Sequence, residues 1–484
     1  MGRPSRTRAA AAAAGLALAL SGGGARAQGL TAPNVGTSAS GPATLDPAAV
    51  HWNPGLLGFL DEPTMLGGLG LVVGDLRYRR ERRALYQRED SFDFALPLDP
   101  SSADPAKTGR APEARATPVA PLGSLFAALP LVPGRLVAAL GVYTPYAALA
   151  SFEPGGAQRW AVEEALVTAT YVTPSIAFRA HETLSVGAGV SYVRGLAEIA
   201  RVNDFASVPE LGRALGGPPI NQANDFGPDA PPGVRELDVM SRRFVLQGAW
   251  ANALTFNAGL AFRPDARTLA GLSYQHGATM NYNGRFQLDM NDSFFTNDLA
   301  SKGLRFKPRV EGDATLTVPL PPILRAGARR ELGGDTALAL SLTYAFWSRV
   351  RSFDVLVRSP DLAMPELGLG DTYRLSLPRR WNDTFGAELA LFRGLGGPWR
   401  LWGVAGYHSP ASPDETIDVA SPDGHRLVGA VGAGYALGPK LSLLGDFEAQ
   451  AILPRRVVNS DYDLGNGLYN LRVFALGLYV RASL

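Results

Sequence analysis

Apolar and polar residues alternate along most of this chain with a period of two, the pattern of β-strands that are apolar on one face. The final stretch, VFALGLYVRASL, places an apolar residue at every second position from Phe474 to Leu484. Arg481 and Ser483 fall on the opposite face. The stretch therefore predicts a strand with one face against an apolar medium and the other against water.

The stretch RFVLQGAWANALTFNAGLAF, residues 243–262, predicts a longer strand of the same kind. Gln247, Thr255 and Asn257 share one face. A soluble sandwich with a half-buried sheet gives the same alternation, but its strands rarely reach about twenty residues. The opposite face is apolar and holds Phe244, Leu246, Trp250, Leu254, Phe256, Leu260 and Phe262.

Fourteen candidate strands follow from alternation and from the Gly, Pro, Asn and Asp clusters between them. Short and long connections alternate along the chain, and two of the long ones, about 81–118 and 203–241, are very long. This asymmetry and an even strand number are typical of outer-membrane barrels. The sequence therefore predicts an all-β fold, a 14-stranded antiparallel transmembrane β-barrel. The predicted strands are 65–80, 119–131, 135–145, 161–180, 184–201, 242–263, 267–288, 312–331, 336–358, 372–393, 399–408, 424–437, 441–454 and 469–483.

Residues 1–27 have the three parts of a secretory signal peptide. A basic start with three arginines precedes an apolar core at residues 9–20 and the cleavage motif Ala25-Arg26-Ala27. Removing these residues with their four arginines changes the formal charge from +2 to −2, so nucleic-acid binding is not expected. The chain has no cysteine, which excludes disulfides and thiolate metal sites.

Residues 28–64 repeat with neither a strand nor a helix period, although the stretch AVHWNPGLLGFLDE is largely apolar. Fourteen strands enclose a lumen too wide for barrel side chains alone to fill, so something must plug it. We predict that residues 28–64 form an N-terminal hatch (plug) inside the lumen of a barrel built from residues 65–484. A periplasmic tail is the alternative, but exposing these side chains costs free energy. The predicted hatch residues are Trp52, Asn53, Pro54, Gly55, Leu56, Leu57 and Phe59, with Asn53-Pro54-Gly55 reversing the chain.

Several short motifs, taken in order, resemble the FadL-type family of outer-membrane transporters (OmpP1/FadL/TodX). GTSASGPATLDPAAVHWNPGLLGFL is similar to the hatch of that family, with Gly55 where the family has Ala. ATLTVPLPPILRAGARREL and the Trp347-Ser348 strand are similar to its later strands, and so is the loop SPASPDETIDVASPDG before a Gly-rich strand. The resemblance is patchy between about 81 and 240. The chain ends in Leu484, where many such barrels end in Phe.

The resemblance implies passive uptake of long-chain fatty acids or other hydrophobic compounds across the outer membrane of a Gram-negative bacterium. It implies an apolar lumen pocket against the hatch and a sideways exit beside a kinked third strand. Gly141 and Pro145 are the candidates for the kink, although Pro145 could simply end the strand. Arg305, Lys307 and Arg309 are the candidates for binding a carboxylate head group, and solvated loop charges are the alternative.

Signals for catalysis and for metal sites are weak in this sequence. The five histidines lack ligand spacing, and no nucleophile-elbow or phosphate-loop motif occurs. DYDLGNGLYN, residues 461–470, has Asp461 and Asp463 at calcium-like spacing but lacks the glycine at position 6 and the closing glutamate of an EF-hand. We expect no cofactor, no metal and no enzymatic activity, and a monomer whose partners are hydrophobic small molecules and outer-membrane lipids. The alternatives are a structural or adhesive barrel with ligand-binding external loops and, less favoured, an outer-membrane hydrolase.

Overall fold

The structure is a computed structural model that describes residues 31–33, 35–81, 113–204, 241–301, 303–365, 370–461 and 465–483. The predicted signal peptide, most of the two longest loops and Leu484 lie outside these ranges. Among the described residues, none of the helices has the length and apolar character of a membrane span.

The short helices are α1 (Ala49–Trp52), α2 (Leu299–Ser301), a π-turn (Phe294–Asp298) and 3₁₀ turns at Pro54–Phe59, Trp347–Arg349 and Pro360–Leu362. The strand segments are β1 (Thr64–Arg80), β2 (Glu113–Ala116), β3 (Val119–Val132), β4 (Leu136–Ser151), β5 (Glu164–His181), β6 (Leu184–Asp204), β7 (Ser241–Asp265), β8 (Thr268–Gln275), β9 (Ala278–Asp289), β10 (Arg309–Leu320), β11 (Ile323–Gly333), β12 (Thr336–Ala345), β13 (Ser352–Arg358), β14 (Thr372–Pro378), β15 (Thr384–Gly394), β16 (Trp399–His408), β17 (Arg426–Ala436), β18 (Leu441–Val457) and β19 (Gly467–Ser483).

The segments form one closed antiparallel barrel of fourteen strands. Neighbours pair in chain order, and β1 pairs with β19 from Thr64↔Ser483 to Arg80↔Gly467, which closes the ring. Five barrel strands consist of two segments each, namely β2–β3, β8–β9, β10–β11, β12–β13 and β14–β15. The predicted fold class and strand number are confirmed. Closure leaves no free sheet edge, which a sheet in lipid requires.

The two faces of the barrel wall differ as the alternation predicts. Leu254 is 73% exposed on the outer face, whereas the adjacent Thr255 is 5% exposed on the inner face. In β19, Leu476 and Leu478 are exposed, whereas Tyr479 is buried. The outer face therefore presents large apolar side chains to its surroundings, as a wall surrounded by hydrocarbon does.

The upper part of β7 departs from the predicted face pattern. Leu246 is buried and Gln247 is exposed, the reverse of the assignment from the sequence. Ala249 pairs with Ala197 but Leu246 pairs with Ile199, so β7 holds one extra residue. This β-bulge, at Gly248 with φ +56°, reverses the alternation of the strand. Phe244 and Leu246 therefore face the lumen and not the outside.

Four neighbouring barrel strands break at matching positions, between β8 and β9, β10 and β11, β12 and β13, and β14 and β15. Pro321-Pro322 forms one of these breaks, because proline has no N–H for the ladder. Trp347 and Trp381 lie in two others and are both buried, with ring centroids 5.0 Å apart. At these breaks the barrel wall therefore places two large apolar side chains in the lumen.

The barrel has two unlike ends. At the end near Thr64, which we call the turn side, strands are joined by tight turns such as 133–135 and 182–183. At the other end, the loop side, connections are longer, such as residues 290–308 between β9 and β10. The predicted alternation of short and long connections is present, and the chain enters β1 at the turn side.

Candidate functional site

The described residues within 31–60, namely 31–33 and 35–60, lie inside the ring of strands, and we call them the N-terminal segment. On β7, Asn257 Nδ2 donates a hydrogen bond of 2.7 Å to the carbonyl of Val50. On β18, half the ring away, Asp446 Oδ2 accepts from the amide of Ser38 at 2.6 Å. A segment that bonds to opposite walls must cross the lumen between them.

Asn53 ties the N-terminal segment to the wall and reverses the chain within it. Its side chain is fully buried, and Nδ2 donates to the carbonyls of Leu260 at 2.9 Å and Pro42 at 3.2 Å. Its Oδ1 accepts from the amide of Gly55 at 3.0 Å, which caps the 3₁₀ turn that follows. The other predicted hatch residues surround this turn: Pro54, Gly55, Leu56, Leu57 and Phe59 are buried and Trp52 is partly buried.

Two glycines in the wall let the turn at Pro54 approach the strands closely. A Cβ at Gly187 of β6 would stand 2.8 Å from the amide nitrogen of Gly55 and still closer to the carbonyl of Pro54. A Cβ at Gly259 of β7 would stand 3.0 Å from Cγ of Asn53. Any side chain at either position would collide with the docked segment, so glycine is required for the contact.

A cluster of aromatic rings from the wall packs against the N-terminal segment. Tyr143 of β4 stacks on Phe126 of β3 and Tyr171 of β5, with ring centroids 5.4 Å and 5.7 Å apart. The same ring meets His51 of the segment edge-on at 5.0 Å. The hydroxyl of Tyr143 shares a hydrogen bond of 3.1 Å with Thr173, so the cluster buries a polar group that has a partner.

Arg325 of β11 brings a buried positive charge to this region. Its Nη2 donates to Gln275 Oε1 at 3.1 Å and lies 3.3 Å from His51 Nε2, and its guanidinium lies 5.3 Å from the ring of Trp52. Within the part of the chain that the structure describes, no carboxylate pairs with it. A buried charge without a counter-charge is costly, so this position favours an anion.

His51 is expected to make docking of the N-terminal segment weaken in acid. Burial lowers the pKa of the His51 imidazole well below its usual value, and the Arg325 guanidinium lowers that pKa further. Because the docked state holds the neutral ring, its contribution is complete above the ordinary pKa of about 6.5 and is lost as pH falls through the lowered pKa.

His51→Phe keeps the ring and removes the titrating group, so docking in this variant should lose its acid sensitivity. Hydrogen exchange of residues 49–60, corrected for the intrinsic rate at each pH, measures the effect. Equal acid-induced loss of protection in the variant and the parent would contradict this role of His51.

β4, the third barrel strand, carries a one-residue bulge. Tyr143 pairs with Tyr171 but Tyr146 pairs with Ala169, so Thr144 and Pro145 together face one residue of β5. The strand continues to Ser151, so Pro145 does not end it. Gly141, the other candidate for a kink, lies in the regular ladder, paired with Phe126.

The ladder between β3 and β4 stops just below this bulge. Its last pair is Leu125↔Val142. Beyond it, β5 is the one barrel strand that pairs with β4 in the described ranges, and β1 is the one that pairs with Val119–Ser124 of β3. A cavity of about 30 Å³ lies here, lined by Leu122–Ser124, Tyr143 and Thr144 together with Pro33, Val35 and Gly36. The wall therefore has an unpaired seam beside the N-terminal segment.

The start of the N-terminal segment lies across this seam. The amide of Ala32 donates to the carbonyl of Pro145 at 2.8 Å, and Thr31 forms a β-bridge with Tyr146. The bulge thus leaves backbone groups of β4 available, and the N-terminal segment forms hydrogen bonds with them. Movement of residues 31–36 would uncover both the bulge and the cavity.

Arg305, Lys307 and Arg309, the predicted head-group candidates, lie at the loop side and are exposed. Lys307 pairs with Asp361, and Arg309 Nε lies 2.9 Å from Glu311. These contacts match the alternative interpretation, solvated loop charges.

Sequence reasoning overlooked Arg325 and the two wall glycines, and it placed Asn257 on the polar face of its strand without finding its bond to the N-terminal segment. Arg325 stands in PPILRAGA, where an arginine in an apolar stretch is itself a signal. The sequence carries no comparable signal for Gly187 and Gly259. The chain holds 55 glycines, and it is the contact with the N-terminal segment that distinguishes these two.

Known proteins share this architecture. The long-chain fatty acid transport protein of Escherichia coli strain K12 is 24% identical over 197 residues, an alignment that spans 39% of this chain and 39% of that protein. A Pseudomonas aeruginosa FadL homologue superposes with a TM-score of 0.71 at 18% identity, covering 94% of this chain and 99% of that one. The Ralstonia pickettii toluene transporter TbuX gives 0.62 at 15% identity, covering 93% and 97%.

The family called outer membrane protein transport protein (OMPP1/FadL/TodX) matches residues 11–459, nearly the whole chain. It comprises transport proteins and not enzymes, which agrees with the expectation from the sequence. The resemblance drawn from the short motifs is confirmed by this match. With its closed barrel of fourteen strands, this chain belongs to the OMPP1/FadL/TodX family of outer-membrane transport proteins.

Proposed function

We propose that this protein takes up hydrophobic compounds, long-chain fatty acids foremost, through an apolar lumen that the N-terminal hatch closes and a seam between β3 and β4 opens sideways. The observation that carries the proposal is the bulge at Thr144-Pro145, where the β3–β4 ladder ends. A sideways exit delivers an apolar solute into hydrocarbon and spares it a passage through water.

The lumen offers an apolar path toward the seam. Phe286 and Met290 near the loop side and Phe126 and Tyr143 beside the seam belong to one continuous cluster of buried apolar side chains. The π-turn residue Phe295 packs into the same cluster from the β9–β10 connection. An apolar molecule that enters at the loop side would therefore meet apolar contacts as far as the hatch.

The hatch would act as a gate at the seam. A cavity of about 30 Å³ holds roughly one water molecule, so a hydrocarbon chain cannot pass until the seam widens. A β-bridge between Thr31 and Tyr146 and the hydrogen bond from the Ala32 amide to the Pro145 carbonyl hold the start of the segment at the bulge. Release of Thr31 and Ala32 from the bulge would widen the seam and open a route.

Arg325 would hold the head group of an acidic substrate. It is buried, lacks a carboxylate partner among the described residues, and reaches His51, which touches the seam residue Tyr143. A charge-assisted hydrogen bond from guanidinium to carboxylate would offset the cost of burying this charge. The similar protein of Escherichia coli is named a long-chain fatty acid transport protein, and we propose long-chain fatty acids as substrates of the present chain as well.

Uptake of labelled oleate and labelled toluene by cells that lack their own transporter tests the proposal. The parent protein should raise uptake of both compounds. Arg325→Met should lower oleate uptake about tenfold or more, the loss of one charged hydrogen bond, and leave toluene uptake nearly unchanged.

Arg309→Met is the matched control, because it removes an exposed arginine whose ion-pair partner among the described residues is Glu311. No uptake of either compound by a correctly inserted parent barrel would overturn the proposed function. Equal losses for oleate and toluene in Arg325→Met would overturn only the head-group role.

A further inference from the structure

A second cavity, of about 370 Å³, lies at the turn side between the N-terminal segment and the ends of the strands. Thr37, Ala39 and residues 44–46 of the segment form its roof. It is separate from the seam, whose cavity has no lining residue in common with it. Its volume falls within the range of small-molecule sites in proteins.

The lining of this cavity is strongly cationic. Asp46 and Glu331 are its carboxylates, and Glu331 is engaged by Arg329 at 2.9 Å. Asp46 is buried, and its Oδ1 accepts from the amide of Ala48 at 2.8 Å. Burial also raises the pKa of Asp46, which disfavours its charged form. Five arginines line the same cavity: Arg263, Arg267, Arg329, Arg400 and Arg481.

Four of these guanidinium groups have no ion-pair partner in the described ranges, namely Arg263, Arg267, Arg400 and Arg481. They come from β7, the β7–β8 turn, β16 and β19, so they converge on the cavity from different parts of the ring. Converging cations in a partly enclosed space attract an anion more strongly than the same charges on an open surface.

The deeper lining is apolar. Leu66, Leu269 and Leu444 contribute aliphatic surface, and the ring of Phe392 lies under the guanidinium of Arg329 at 4.3 Å. Trp402 completes this part and is fixed by its hydrogen bond of 2.9 Å to Ser38. An inorganic anion would leave this surface unused, whereas a ligand with an apolar tail would cover it.

We propose that this cavity binds an amphipathic monocarboxylate, such as a medium-chain fatty acid, from the turn side, with its carboxylate on the arginines and its tail against Trp402 and the leucines. The site is distinct from the route proposed through the seam and does not depend on it. Arg329 and Arg481 also attract Asp46 of the N-terminal segment, so a carboxylate bound in the cavity would compete with Asp46 for the same two arginines. Occupancy and the position of the hatch would then be coupled, each altering the other.

Calorimetric titration of decanoate into the full chain held in amphipol, without detergent, tests the site. The titration is made in the Arg325→Met background, so that carboxylate binding at the lumen position does not contribute. Arg267→Gln combined with Arg400→Gln should weaken decanoate binding about tenfold or more, because two charge-assisted hydrogen bonds are lost. Both side chains are exposed at the rim, so the barrel should fold normally.

Arg135→Gln combined with Arg393→Gln is the matched control, since both arginines are exposed at the turn side but do not line the cavity. This pair should leave the affinity unchanged. Equal loss in the two pairs would overturn the proposal, and so would decanol binding as tightly as decanoate. Acetate binding as tightly as decanoate would show a simple anion site and would overturn the amphipathic assignment. None of these outcomes bears on uptake through the seam, which is measured separately in cells.

Discussion

Replacing Gly187 by valine is expected to dislodge the N-terminal segment from the lumen wall while leaving the barrel folded. The new side chain would occupy the space of the Pro54 carbonyl and the Gly55 amide, which are backbone groups and cannot rotate away. Overpacking of this kind costs about 1–3 kcal/mol, which corresponds to a population of the undocked N-terminal segment that is roughly 5 to 150 times larger. The bond from Asn53 to the wall, made by the same turn, would weaken with it.

Two measurements report this change. Hydrogen exchange of residues 49–60 should speed up by a similar factor, and single-channel conductance in planar bilayers should rise as the lumen opens. Gly429→Val is the matched control, because Gly429 lies on the outer face of β17 and a Cβ there meets nothing within 4 Å. A Gly187→Val protein whose exchange and conductance equal those of the control would refute the docking of the hatch on β6.

Deleting Pro145 is expected to close the seam and stop the sideways release that we propose. One extra residue in β4 creates the bulge, so removing it restores one-to-one pairing with β5 without shifting Tyr146 from Ala169. β4 could then extend its ladder with β3 beyond Val142. Uptake of oleate and toluene should fall by about an order of magnitude or more, because the unpaired wall that the bulge maintains would be lost.

The β7 bulge supplies the control for this deletion. Removing Gly248 also takes one bulge residue from a barrel strand, but at a position remote from the seam, where a Cβ added to the glycine would meet nothing within 4 Å. It should leave uptake close to that of the parent. Normal uptake without Pro145, or equal losses in the two deletions, would contradict an exit between β3 and β4.

The barrel could be predicted because contact with lipid requires the alternation of apolar and polar residues that the sequence shows. Outward positions must be apolar along every strand, so an alternation as regular as that in β19 suffices to locate a strand and its faces. Loop-length asymmetry then sets the direction of each strand. The alternation failed at Gly248, where an extra residue reverses the faces of β7, because a bulge leaves no sign in a two-residue period.

The position of the hatch was harder to derive from the residues. The apolar content of residues 49–62 implied burial, but its partners are wall groups such as Asn257 and Gly187, far away in the sequence. Long-range docking of this kind depends on three-dimensional closeness and has no local period. Asn53 shows the limit well, since its turn was foreseen but its bond to the Leu260 carbonyl was not.

The charged groups show the same limit. Density along the chain singled out Arg305, Lys307 and Arg309, which lie exposed at the loop side. The folded barrel instead gathers Arg263, Arg400 and Arg481 at one end from widely separated strands, and it isolates Arg325 in the lumen. Closeness in sequence is a poor guide to charge clusters in a barrel, because each strand contributes single inward positions.

Photo-crosslinking with a fatty acid that carries a diazirine at the end of its chain tests the sideways route most directly. The full protein is irradiated in outer membranes, and the labelled peptides are identified by mass spectrometry. The account predicts labels at Leu122–Ser124 and at Tyr143-Thr144, on the two sides of the seam. Labels confined to turn-side residues such as Leu269 and Leu444, with none at the seam, would contradict it.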